Sequence, residues 1–507
     1  MIKMLKKAIK AGAVALSAVT AISFASCAGK QESILSADMF AQELALVQNG
    51  EEKYGFINEK GAEAVACTYD KAKLFFNGLA PVQKDGKWGY VNKNGEMQIA
   101  AKYDSAGYFY TDDCAVVGVT KGLEIKYGLI DKKGNTLVEP NFDKIEGFYD
   151  QAKMLEGKFV KKDVSIVKTG LKYGLINMSG VYVANPDYTK IEATYFGGYE
   201  LTRVKEGLLE GFEKNVADKS GKLISSAWYE DIGDTGSDEF IPVKTDGKWG
   251  AINAKGQTVV AAAYKAVDGM YNDRAVFKND DGKYGVLNEK GQIVAQPVYD
   301  AIDEFGVTGY EFDATAAKKG DYYGLIDDDG KELTTFTYKE IERMGEDTFV
   351  CKDVSDKVSL IDEKGKTLVE PGKYENISNG NNIVDLHNFI VKNADGKYGV
   401  IDEDGKELVA PQYENISKCS SDFFVAERGE GDNEECAVFT LKNKEVIPFG
   451  TYDDIDYIYA DGYIIVEKDK KYGIVKKDGS ALVEPKYKQI TGFNVLALVW
   501  SDIPSIG

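Results

Sequence analysis

The sequence predicts an all-β protein built from about twelve tandem hairpin or meander repeats of about 38 residues, and two observations carry that reading. The first is a recurring aromatic-Gly pair. It stands at Tyr54-Gly55, Trp88-Gly89, Tyr127-Gly128, Tyr173-Gly174, Trp249-Gly250, Tyr284-Gly285, Tyr323-Gly324, Tyr398-Gly399 and Tyr472-Gly473. The gaps leave room for three degenerate copies with Lys214, Val358 and Cys436 in the aromatic slot, which keeps the spacing between 34 and 46 residues. The second is that later positions keep step with the pair, even in the degenerate copies. A Gly lies seven residues on in every copy but that of Cys436, which has Asn443. An aromatic follows at fifteen or sixteen residues, as at Tyr69, Tyr103 and Tyr229. Three residues further comes a small or branched apolar residue such as Ala72, Ala106 or Ile232.

One copy, Leu79 to Phe109, shows how each element follows. Leu79 to Gln83 reads as a short strand. Asp85-Gly86 is a hairpin signal, because Gly accepts the positive φ of a primed turn, and Asp-Gly recurs at Asp246-Gly247, Asp281-Gly282 and Asp395-Gly396. Trp88 to Asn92 is the next strand. Asn92 to Gly95 is a turn opened by a side chain that bonds nearby backbone and closed by a left-handed Gly. Glu96 to Tyr103 is a third strand, and Tyr103 to Phe109 a corner or fourth short strand. The central strand is apolar on both faces, as in Tyr90-Val91, Leu129-Ile130 and Val400-Ile401, so it needs cover from the copies before and after it. The Gly of the pair is expected to make room for a neighbouring copy's aromatic. Changes at Asn215 or Ser359, which hold that slot in degenerate copies, are then expected to be milder.

This pattern, over about Leu44 to Leu498, resembles the WG-repeat family of bacterial proteins, although only Trp88 and Trp249 supply a literal Trp-Gly. The resemblance implies a β-structured tandem array and no catalytic residues. Two architectures fit such an array: propeller-like blades, most naturally two rings of six, or an open β-superhelix, with blades favoured.

The N-terminus has the parts of an export signal over residues 1–26. Lys3, Lys6, Lys7 and Lys10 precede an apolar stretch, Ala11 to Phe24, and then small residues before Cys27. Ala25-Ser26-Cys27 resembles a bacterial lipobox, which implies lipid on Cys27, with Phe24 where the motif usually has Leu. Residues 27–43 would be a lipid-anchored tether, 44–498 the repeat array and 499–507 a C-terminal tail. Localisation at a bacterial cell envelope follows, with a membrane as partner through Cys27, and plain secretion as the alternative.

Charge excludes one class. A net charge of -20 leaves no basic face for nucleic acid. The chemistry-bearing residues give no active site. His387 is the only histidine, and no Gly-x-Ser-x-Gly elbow accompanies it. Cys67, Cys114, Cys351, Cys419 and Cys436 form no Cys-x-x-Cys and read as ordinary buried thiols. Asp327-Asp328-Asp329-Gly330 and Asp402-Glu403-Asp404-Gly405 lack EF-hand spacing and read as solvated turns. No metal and no cofactor is expected. The reading is a non-enzymatic binding or scaffolding lipoprotein that uses variable loops, at Gly118 to Lys126, Lys162 to Leu171, Val204 to Glu213 and Glu427 to Glu435, to hold a protein or glycan. The alternatives are a glycan-acting hydrolase with an unrecognised carboxylate site, and a structural spacer.

Overall fold

The computed structural model describes residues 41–492, apart from 111, 150–160, 195, 206–210, 235–236, 238, 308–309, 346, 379–386, 420–421, 430–432 and 460. The residues expected to form an export signal and a C-terminal tail, and Cys27, therefore lie outside the described residues. The strands of the first copies set the pattern: β1 (Leu44–Gln48), β2 (Tyr54–Asn58), β3 (Glu63–Tyr69), β4 (Lys71–Ala72), β5 (Leu79–Lys84), β6 (Lys87–Asn92) and β7 (Met97–Tyr103). The typical blade is an antiparallel sheet in chain order, a short first strand followed by three longer ones, as in β4-β5-β6-β7. The aromatic-Gly pair opens the third strand. We number the blades 1 to 12 by that slot, from Tyr54 to Tyr472.

The twelve blades form one closed ring. The short strand of blade 1 comes from the far end of the chain, because Gln489–Thr491 pairs antiparallel with β1, with Ile490 opposite Val47. Lys488 Nζ also meets Glu52 Oε1 at 2.8 Å. Among the described residues twelve apolar clusters, one per junction, alternate with the twelve blades. The last joins Ala45, Val47 and Ile57 of blade 1 to Ile465, Ile474 and Tyr487 of blade 12. Blades were the favoured architecture; the expected division into two six-bladed rings is replaced by a single ring, since blade 1 meets blade 12.

The double-faced third strand is as expected. Tyr90 and Val91 are both fully buried. Tyr90 enters the cluster shared with blade 3, and Val91 the one shared with blade 1. The Asx turn is also as expected. Asn58 Oδ1 accepts from Lys60 N at 3.0 Å and Ala62 N at 3.1 Å, and Gly61 closes the turn at φ 73°. The primed hairpin holds at Asp85-Gly86 and Asp246-Gly247, where both residues have positive φ. It does not hold at Asp281-Gly282 or Asp395-Gly396, where only the Gly does. There the turn begins earlier, and Asn279 and Asn393 open it by accepting from Lys283 N and Lys397 N.

The role expected of the signature Gly needs correction. A Cβ on Gly250 would meet the backbone of the fourth strand of its own blade, including Ala262 N at 2.7 Å, and not a neighbouring aromatic. Gly55 faces Val65 O at 2.6 Å and Cys67 N at 2.7 Å in the same way. The fourth strand bulges over the bare Gly, as register shifts beside Gly55 and Gly250 show. Its length follows the residue in the slot. Opposite Gly55, Gly89, Gly128, Gly174, Gly250, Gly285, Gly399 and Gly473 it runs seven residues. Opposite Ser359 and Ala437 it shrinks to Thr367–Val369 and Glu445–Ile447. Opposite Asn215 only isolated bridges remain. Gly324 is the exception, with bridges alone; there the Phe336 ring, and not strand backbone, stands about 3 Å from where a Cβ would lie.

Candidate functional site

A single residue carries the chain from the fourth strand of one blade to the first of the next, such as Asp70, Asp104, Asp143 and Asp300. These corner acids tie two blades. Asp104 holds Lys87 Nζ of blade 2 and accepts from Thr120 N of blade 3 at 2.7 Å. Asp300 holds Lys283 at 2.6 Å and accepts from Gly320 N at 2.8 Å. The bond from Lys87 keeps the Asp104 carboxyl below the usual carboxylate range. At two other corners the charges swap: Lys339 meets Asp356 at 2.9 Å and Lys488 meets Glu52. Asp104→Ala should cost roughly 1 kcal/mol in urea unfolding at neutral pH, because the pair is partly solvated. The loss should vanish in acid: a lowered folded pKa gives stability that is present above the ordinary value and lost as pH falls through the folded one.

The corners place the hairpins between second and third strands on one face of the ring, since Thr120 and Gly320 belong to those hairpins. All four segments expected to be variable loops fall between second and third strands, and the first two are mostly strand themselves. Gly118 to Lys126 lies mainly on Ala115–Lys121 and Glu124–Ile130, and Lys162 to Leu171 on Val164–Thr169. The tips of these two are apolar and solvated. Leu123 is fully exposed and Leu171 88% exposed. In blade 5, Val204 and Phe212 are exposed beside described ends of the third segment. Blades 3 and 4 thus show apolar tips where blades 2, 6, 7 and 10 have Asp-Gly. Gly122-Leu123 and Gly170-Leu171 carry the sequence signal for this.

The other candidate chemistry is thin. A cavity of about 20 Å³, enough for roughly one water, lies between blades 8 and 9 beside Asp303, Glu304 and Arg343. The Arg343 guanidinium is held between the rings of Phe312 and Phe349, at 3.9 and 4.3 Å. His387 Nδ1 sits 2.8 Å from Glu403 Oε2, with both side chains half exposed. Asp328 and Asp329 hold Arg274 of blade 7 at 3.1 and 3.0 Å, so this acidic turn is an inter-blade tie. No group able to hold a metal occurs among the described residues. The five described cysteines are free thiols, and burial pushes those of Cys67 and Cys351 up to about 12.

Blade 5 carries the most unusual charge. Lys214 replaces the signature aromatic and meets Glu200 at 2.9 Å and Asp231 of the next blade at 2.8 Å. Burial outweighs the lysine and pushes the Glu200 carboxyl up. A raised folded pKa gives stability that is present at low pH and lost as pH rises through it. Lys214→Met should therefore cost roughly 2 kcal/mol or more at neutral pH by stranding Glu200. Acid, or the added Glu200→Gln, should restore much of it in thermal melts.

The fold and its repeats define a class, the closed β-propeller built from aromatic-Gly blades. The chain belongs to the family described as WG containing repeat, whose model matches residues 54–88, 88–119, 127–151, 216–249, 249–284, 284–310, 323–350, 398–430 and 440–472. No curated protein matches. Among solved structures the chain is similar to "Crystal structure of the eukaryotic initiation factor", at 10% identity and TM-score 0.29, over 65% of this chain and 96% of that one. It is also similar to BamB from Moraxella catarrhalis, at 13% identity and TM-score 0.24, over 57% and 94%. At such scores neither likeness bears on ligand or activity.

Proposed function

We propose that this chain is a non-enzymatic scaffold of a bacterial cell envelope, lipid-anchored at Cys27, whose ring binds a protein or glycan through the hairpins of blades 3 to 5. The observation that carries this reading is the pair of solvated tips, Leu123 and Leu171, with Phe212 exposed at a strand end of the next blade. An exposed aliphatic side chain at a two-residue turn adds nothing to the blade, and adjacent ones on a rigid frame suit contact with another surface. Lys121, Lys168 and Lys172 flank them and favour an anionic rim on the partner. The glycan-acting hydrolase is the alternative reading, and the cavity beside Asp303 and Glu304 would not be its site, having no room for a sugar ring.

The test is capture of envelope proteins and glycans on the soluble form that starts after Cys27. Leu123→Asp with Leu171→Asp should abolish a specific capture at an unchanged melting midpoint, as exposed sites cost within about 0.5 kcal/mol. Capture that survives the pair removes this surface from the account. In parallel, Cys27→Ser should move the protein from the membrane fraction to the soluble one, and unchanged fatty-acid labelling would exclude the anchor.

A further inference from the structure

Blades 5, 6 and 7 carry no charge along their fourth-strand segments. These run from two residues past the Gly that closes the Asx turn to the recurring aromatic: 223–229, 258–264 and 293–299. Every other blade has at least one charged residue there, such as Glu63, Lys102, Asp187, Glu332 or Glu407. The repeat itself therefore does not demand the absence, which stands out in a chain with 28% charged residues. The three segments lie side by side. A Cβ on Gly256 of blade 6 would meet Ile224, and one on Gly291 of blade 7 would meet Val259 O at 2.8 Å. Leu223, Ile293 and Val298 are exposed. The middle segment, Thr258–Tyr264, is the last strand of its sheet. Ala261, Ala262 and Ala263 are all exposed on it. They form the unpaired arch over Gly250, between the pairs Ala251–Val260 and Trp249–Tyr264. Among the described residues no backbone hydrogen bond from outside its own sheet reaches this strand. Edge strands ordinarily carry charge that keeps other chains from pairing with them, and this one has none.

We propose that this sector is where two copies of the chain meet about a two-fold axis, with Thr258–Tyr264 antiparallel to itself at the centre. Charge selects a second copy as the occupant. A copy with net charge -20 is repelled from an acidic ring. In a two-fold contact a residue near the axis faces its own copy, so a carboxylate there meets a carboxylate. Glu139, Glu370 and Glu484 hold the position of Ala261 in blades 3, 9 and 12, which bars those edges. The two-fold of an antiparallel pair stands perpendicular to the sheet, so blade 5 meets blade 5 of the copy and blade 7 meets blade 7. The start of each segment then lies against the end of its copy. That brings Lys222 to Glu230 in blade 5 and Lys290 to Asp300 in blade 7, all four exposed. Blade 6 has lysine at both ends, Lys255 and Lys265, and contributes the small side chains that let the strands approach. A lone edge strand falls short of the roughly 800 Å² per partner of a standard interface. Leu223, Ile293 and Val298 add apolar area on either side of it.

Sedimentation equilibrium of the full chain tests this, with Cys27→Ser in every sample so that lipid plays no part. The expected result is a reversible monomer–dimer equilibrium. Ala261→Glu and, separately, Val298→Glu should weaken the dimer at least about tenfold by setting charge into an uncharged contact. Ala410→Glu, at the matching exposed position of blade 10, should leave it unchanged. Lys222→Glu should weaken it too, and adding Glu230→Lys should restore it. Melting midpoints taken at a dilution where every sample is monomeric should agree. A chain that stays monomeric, or a dimer indifferent to both Ala261→Glu and Val298→Glu, overturns the proposal. If Ala261→Glu lowers the midpoint of the monomer, the exchange of Lys222 and Glu230 decides, and failure to restore the dimer overturns it. A monomer that binds lipid vesicles through these same residues would assign the sector to a membrane and overturn it as well.

Discussion

Gly250→Val will strip blade 6 of its fourth strand. Gly250 is buried under Val260 and Ala262, and a Cβ there has backbone atoms within 2.7 Å on the adjacent strand. A backbone neighbour cannot rotate away as a side chain can, so the strand Thr258–Tyr264 must lift. That forfeits the pairing of Trp249 with Tyr264 and of Ala251 with Val260. Val260 and Tyr264 leave the cluster shared with blade 7. Overpacking alone costs about 1–3 kcal/mol, and the lost strand should take the total to 3 kcal/mol or more. Trp249→Ala should cost less than a fully buried aromatic would, roughly 1–3 kcal/mol, because Trp249 is only half-buried. Hydrogen exchange locates the damage. Loss should appear first in Thr258–Tyr264, and the strand Ile241–Thr245 on the other side of Trp249-Gly250 should stay protected.

Asn215→Leu will be as harmful, at the site where the sequence suggested slack. Asn215 is fully buried. Its Nδ2 donates to Ser225 O and Ala227 O, both at 2.9 Å, and its Oδ1 accepts from Val216 N at 2.8 Å. The side chain thus does what fourth-strand pairing does elsewhere. Leucine has similar volume but leaves carbonyls and an amide without partners, each worth about 1–3 kcal/mol when buried. An equilibrium loss of roughly 3 kcal/mol in urea is expected, and Asn215→Gly, which restores the consensus residue, should not recover it.

The contrast between these two residues shows how far the sequence reads. Periodicity was enough for blade number, for the strand that carries Tyr90 and Val91, and for the turn at Asn58 to Gly61, since all depend on local spacing. The reason for the signature Gly was not legible. A bare position is equally consistent with a neighbouring ring and with a bulged strand, and only the cross-strand register distinguishes them. Asn215 looked like decay for the same cause: its partners lie ten and twelve residues away in a stretch that has lost its strand pattern. The corner ties of Asp104 and Lys87 were hidden because each residue reads alone as a solvated charge. The apolar tips at Leu123 and Leu171 were visible as residues, but their adjacency on one face required the ring.

Closure of all twelve blades into one ring is the claim on which the rest depends, and a zero-length carbodiimide cross-link tests it most directly. Lys488 and Glu52 are 436 residues apart and form an ion pair at 2.8 Å. Lys283 and Asp300, at 2.6 Å, are an internal reference that does not need closure. The account predicts that the monomer fraction yields the Lys488–Glu52 cross-link at a level comparable to Lys283–Asp300. A monomer that gives the reference cross-link and not the closing one would be an open array, and would contradict the ring.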